Sequence, residues 1–211
     1  MSNKDFLMLH SDSSFAQDHI RNLQFKEDYT FLDAYDLPSY DSSEHICMVV
    51  NGLTDQEFLY REKEIIRQFL DQGKVLLFSG HLFREWLPGA KAFIPKSIHS
   101  HKDYVVSIAQ PHPIFEGVLT EDMTFRKGVS GFFARGHHPL PSGAEGLLSL
   151  PGGELITYID RQSTRGTIIV HSGNDLLAYN DLSTTTSRIG AQLIDWIREE
   201  HSRIVERGVH S

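Results

Sequence analysis

A short apolar run at residues 6–9, bounded by Asp5 and His10, opens the chain and reads as a buried strand leading into the polar stretch Ser11-Asp12-Ser13-Ser14. Ser14 followed by Gln17 has the form of a capping box, which predicts a helix starting there and turning Phe15, Ile20 and Leu23 inward. Residues 29–32 predict the next strand. The most regular stretch follows. Residues 46–50 (Ile46-Cys47-Met48-Val49-Val50) are continuously apolar, as a strand covered on both faces requires, and they end at Asn51-Gly52. Thr54 and Glu57 suggest a second capping box. Phe58, Leu59, Ile65, Ile66, Phe69 and Leu70 then recur at helical spacing as far as Gly73. Residues 75–78 give another buried strand, ending at Ser79-Gly80-His81. The whole is a β-α-β unit, whose crossover makes parallel neighbours of its two strands.

Past residue 89 the pieces shorten. Residues 104–108 alternate like a strand, Phe132-Phe133 suggest another, and residues 155–159 and 167–170 predict two more, separated by a polar turn containing Gly166. Pro151-Gly152-Gly153 is a turn by composition. Ile189, Leu193, Trp196, Ile197 and Ile204 mark a closing amphipathic helix whose stripe faces the sheet. The expected class is therefore α/β, with a mostly parallel central sheet and a β-rich insertion in the second half. No internal repeat or low-complexity segment interrupts the pattern.

The 211 residues fall within the range that one core can serve, so a single domain over residues 1–211 is expected. Hydrophobic residues at 40% and charged residues at 23% argue against disorder, and no apolar run reaches the roughly 20 residues of a membrane span. The start, residues 1–5, lacks the features of a secretory leader, and the lone Cys47 admits no intrachain disulfide, so a cytoplasmic location is expected. A formal charge of −8 without a basic stripe argues against a nucleic-acid partner. Twelve histidines raise the question of metal, but none sits in an H-E-x-x-H frame and one cysteine cannot complete a Cys/His quartet. They are read as solvated surface residues, and no metal or cofactor is expected.

Three segments together resemble the class I glutamine amidotransferase-like superfamily, in particular its ThuA-like branch and branches lacking the catalytic cysteine. The first is the β-α-β unit, in which Gly73-Lys74-Val75-Leu76-Leu77-Phe78-Ser79-Gly80-His81 stands where the family's strand ends at its nucleophile. The second, His112-Pro113-Ile114-Phe115-Glu116-Gly117-Val118, is similar to the H-P-I-x-x-G-V phrase of the ThuA-like branch. The third, Gly166-Thr167-Ile168-Ile169-Val170-His171, resembles the strand that delivers the catalytic histidine. The resemblance implies a flavodoxin-like three-layer sandwich.

It also implies a site in the crevice at the carboxyl ends of the parallel strands. Ser79 would correspond to the nucleophile and His171 to its base, with Asp175 or Asn174 orienting the imidazole; the substrate would be a small amide or ester. Ser11, Asn51, Gly52, Gly80, His81 and His112 are the further expected pocket residues, His81 also being an alternative base or metal ligand. The pattern departs from the family in two ways. Cys47 lies inside a strand, and Leu77 and His81 stand where a tight nucleophile elbow wants small residues. Two other readings therefore stand beside hydrolysis: a non-catalytic module that binds carbohydrate or pairs with a protein, and a metal-dependent enzyme. Phe83 and Trp86 are aromatics suited either to stacking on a sugar or to the core. A small-molecule ligand is the expected partner, no membrane is implied, and a homodimer is admitted.

Overall fold

A computed structural model describes residues 4–209. The first three residues, part of the segment on which the leader expectation rests, lie outside it, as does the side chain of Phe15. The eight strands of the main sheet are β1 (Phe6–His10), β2 (Tyr29–Asp33), β3 (Cys47–Asn51), β4 (Val75–Ser79), β5 (Ser107–Ile108), β6 (Glu145–Ser149), β7 (Leu155–Asp160) and β8 (Thr167–His171). Their spatial order is β2-β1-β3-β4-β8-β7-β6-β5. The first five run parallel, and β7, β6 and β5 extend the sheet antiparallel beyond β8. Those three strands lie between β4 and β8 in the chain, so they form the expected β-rich insertion. Two short ribbons accompany it, Ile94–Pro95 with Gly136–His137 and Phe125–Arg126 with Val129–Ser130.

Side chains alternate across the sheet and feed two cores, which is why the parallel strands read as unbroken apolar runs. Met8, Val49, Leu77 and Ile169 face the C-terminal helix, where Ile189, Leu193, Trp196 and Ile197 cover them. Leu9, Val50, Phe78 and Val170 face the opposite layer, against Leu59, Ile66, Phe69 and Leu70. The helices are α1 (Ser14–Asn22), α2 (Gln56–Arg61), α3 (Lys63–Asp71), α4 (Thr120–Thr124) and α5 (Arg188–Val209). The protein is thus a three-layer α/β sandwich of flavodoxin type. Among the described residues no helix is long and apolar enough to cross a membrane.

Several local expectations need correction. The cap of α1 is Ser13, whose hydroxyl accepts from the Ala16 amide, one residue before the predicted start. Asp55 rather than Thr54 caps α2, its carboxylate accepting from both Glu57 and Phe58 amides, and the predicted single helix breaks at Glu62. Only Ser107–Ile108 of the 104–108 segment forms a strand, because a 3-10 turn occupies His101–Tyr104. Phe132 and Phe133 are not in a strand; Ala134 makes an isolated antiparallel bridge to Gly173. β6 begins with Glu145 and carries Gly146, and its short apolar pair Leu147-Leu148 gives no alternating signal.

Candidate functional site

A hollow of about 760 Å³ opens at the carboxyl ends of the parallel strands. This is where helices and loops diverge from an open α/β sheet, and its volume suits a small ligand. Its floor is built by the ends of β3 and β4. Asn51 turns its Oδ1 back to accept from the Leu53 amide at 3.0 Å, which shapes the turn after β3. Gly80, at φ +150°, comes so close to Gly52 that a Cβ on it would meet Gly52 Cα at 2.6 Å. A larger residue at position 80 would part the two turns, whereas at position 52 a Cβ would meet Gly80 Cα at 3.2 Å.

Ser79 and His171 stand opposite each other in the register between β4 and β8 and face the same side of the sheet. The structure brings them together as the sequence suggests, but it does not join them. His171 is 0% exposed. Its Nε2 lies 3.2 Å from the Phe133 carbonyl and its Nδ1 lies 2.8 Å from the Thr157 hydroxyl. A carbonyl can only accept, so Nε2 carries the hydrogen and Nδ1 accepts from Thr157, which occupies both ring nitrogens. Burial lowers the His171 pKa to about 4, outweighing the opposing influence of the Phe133 carbonyl and Asp175, so the ring is neutral. The Ser79 hydroxyl accepts from the Leu176 amide at 3.4 Å instead. Thr157 thus occupies the orienting position expected of Asp175 or Asn174. Asp175 instead caps the turn Leu176–Ala178, its Oδ1 accepting from the Leu177 amide at 2.9 Å.

Asn51, Gly52, Ser79, Gly80, His81, Asn174 and Asp175 all line the hollow, whereas Ser11 and His112 do not. Ser11 lies past β1, where its hydroxyl pairs with Ser13. His112 packs its ring edge-on against Trp196 of α5 at 5.1 Å, and its Nδ1 accepts from the Ile114 amide. The H-P phrase therefore starts a turn under the helix layer and is not part of the pocket. His171 lies beneath the floor, closed off from the hollow. His81 stacks on Phe93 at 3.8 Å, and burial together with the Arg135 charge lowers its pKa.

The reading of the histidines as solvated surface residues fails for His138 as well as for His171. His138 is 0% exposed. Its Nε2 accepts from the Leu82 amide at 3.0 Å, so its Nδ1 carries the hydrogen and donates to Ser172 at 2.7 Å. Burial, aided by the neighbouring histidines, pushes its pKa down to about 3. Gln56 completes the support of the loop after β4. Its amide nitrogen donates to the His81 carbonyl, and its oxygen accepts from the Phe83 amide and the Trp86 indole. Trp86 is accordingly core, but Phe83 is 62% exposed on the wall of the hollow. Among the described residues no group of three or more His, Cys, Asp or Glu is placed to hold a metal ion.

The rest of the lining includes Arg126, Phe132 and Arg135, which the sequence reading did not single out for the pocket. Phe132 and Arg135 flank Ala134, whose bridge to Gly173 holds the loop after the Phe125–Ser130 ribbon over the end of β8, and Arg126 comes from that ribbon. No periodicity marks that segment.

No family model and no curated protein matches the chain in sequence. Solved structures do match. Cytoplasmic protein STM3548 of Salmonella typhimurium is 12% identical, with a TM-score of 0.56 over 91% of this chain and 98% of that one. A protein described as ThuA-like from Bacteroides uniformis is 13% identical, with a TM-score of 0.53 over 91% and 90% of the two chains. The exo-β-1,4-mannosidase Op5Man5 of an Opitutaceae bacterium is 16% identical, with a TM-score of 0.55, and 90% of this chain corresponds to 35% of that enzyme. With the parallel sheet, the antiparallel extension and the crevice described above, these likenesses establish that the chain has the ThuA-like, glutamine amidotransferase-like fold.

Proposed function

We propose that this chain is a binding domain for a small hydroxylated ligand of carbohydrate type, received in the hollow above β3, β4 and β8, with Ser79 and His171 serving the fold rather than a reaction. The observation that carries this reading is the occupation of both His171 nitrogens by Thr157 and Phe133. A base with no free ring nitrogen cannot take the Ser79 proton, and a serine without a base is a poor nucleophile. Cys47 offers no substitute, since it is enclosed in β3 and burial pushes its thiol pKa up. The Ser-His hydrolase of small amides or esters is therefore the weaker reading.

The walls support binding of a sugar-like molecule. Phe83 at 62% and Phe132 at 41% exposure present aromatic faces, which suit the C–H faces of pyranose rings, while the exposed Asn174 brings polar atoms to hydroxyl groups. The partial correspondence with a mannosidase is compatible with a fold that accompanies carbohydrate chemistry. Saturation-transfer NMR against a panel of mono- and disaccharides is expected to show binding that weakens about fivefold in Phe83→Ala and in Asn174→Ala, with thermal stability unchanged because Phe83 and Asn174 are both exposed. A fluorophosphonate probe is expected to leave Ser79 unlabelled. Labelling that disappears in Ser79→Ala would restore the hydrolase and overturn the binding-domain reading.

A further inference from the structure

Six arginines of this acidic chain sit in ion pairs with carboxylates: Arg21, Arg67, Arg84, Arg161, Arg198 and Arg203. Of the chain's other arginines, Arg126 and Arg135 line the hollow. Among the described residues neither Arg126 nor Arg135 lies within ion-pair distance of an Asp or Glu. Arg135 is held in place by its Nε, which donates to the Gly131 carbonyl at 2.8 Å and leaves its terminal nitrogens directed elsewhere. Asp181, which feels the Arg126 charge, uses its Oδ1 to accept from the Ser183 amide and hydroxyl.

We infer that the hollow selects a ligand bearing an anionic group, a carboxylate or a phosphate on a hydroxylated ring, with the Arg126 and Arg135 guanidiniums holding the anion. The inference rests on the binding-domain reading above and names its ligand class. A protein of net charge −8 repels anions at long range, so two unpaired guanidiniums on one concave wall form a local exception to the overall field. Guanidinium is also the side-chain group best matched to two oxygens of one carboxylate or phosphate. The hollow is chemically divided to suit such a molecule. Its anion would sit between the arginines, its ring against Phe132 or Phe83, and its hydroxyl groups toward Asn174 and the end of β4. The volume of about 760 Å³ leaves room for more than one ring.

The test compares neutral and acidic probes on the full chain: glucose, glucose 6-phosphate and glucuronate, by saturation-transfer NMR and calorimetry at low and at moderate salt. The acidic probes are expected to bind at least about tenfold more tightly than glucose, with the preference falling as salt rises. Arg126→Gln and Arg135→Gln are each expected to remove most of that preference. Both side chains are exposed, so the variants should fold. Equal affinity for glucose and the acidic probes, or a preference that survives both substitutions, overturns the inference while leaving the carbohydrate reading standing. Binding of none of the three overturns both.

Discussion

Lowering the pH from 7 to 4.5 is expected to remove several kcal/mol of stability from this protein. The cause is the pair of enclosed imidazoles. His171 has its pKa lowered to about 4 and His138 to about 3 by burial, whereas both are near 6.5 in the unfolded chain. Each folded-state value is depressed, so the unfolded state binds the protons first. The stability is intact above about pH 6.5 and is lost progressively as the pH falls toward the folded-state values. At about 1.4 kcal/mol per pH unit, each histidine removes on the order of 3 kcal/mol by pH 4. Their sum is comparable with the whole stability of an ordinary domain, about 5–15 kcal/mol. Urea midpoints measured from pH 7.5 to 4.5 should fall steeply, and the Cε1 resonances of His138 and His171 should not shift across pH 7.5 to 5.5. A flat stability profile, or either ring titrating near pH 6.5, would show that these side chains are not enclosed as described.

The second large effect is expected from a single methyl group. In Gly173→Ala the added Cβ would lie 1.7 Å from the Phe133 carbonyl oxygen and 2.9 Å from His171 Nε2. The contact is with backbone, so no rotamer change relieves it, and the 131–135 segment must move. That movement breaks the Ala134 bridge, takes the acceptor away from His171 and shifts Arg135 and Phe132 off the pocket wall. A loss on the order of 3 kcal/mol is expected from overpacking and from leaving a buried ring nitrogen unpaired, lowering the melting temperature by about 10 °C. Ligand binding should fall with it. Gly208→Ala provides the control, since among the described residues nothing lies within 4 Å of a Cβ there. It should be neutral or slightly stabilising on α5. A Gly173→Ala protein as stable as the native one would mean that the 131–135 segment does not lie against the end of β8.

Pattern alone accounts for the α/β class and its parallel core, while the three-layer sandwich came with the family resemblance. Residues 46–79 announce two enclosed strands and the helical crossover between them, and the stripe from Ile189 to Ile204 announces the covering helix. Burial on both faces leaves no polar position to interrupt a run, so such strands are the easiest elements to read. The site was legible only as far as strand ends reach. Asn51, Gly52, Ser79, Gly80, Asn174 and Asp175 could be placed because open parallel sheets gather their strand termini on one rim.

What surrounds those termini was decided by the tertiary structure. The hydrogen bonds that quench His171 join it to Thr157 and Phe133, 14 and 38 residues away in the chain. His138 is enclosed by Leu82 and Ser172, Arg135 reaches the hollow beside the bridge between Ala134 and Gly173, and Arg126 reaches it from a short ribbon that the sequence did not mark. Hydrophobic spacing reports which face of an element is covered. It carries no record of which distant donor or acceptor meets a side chain there, and for a histidine that partner separates a catalytic base from a structural post.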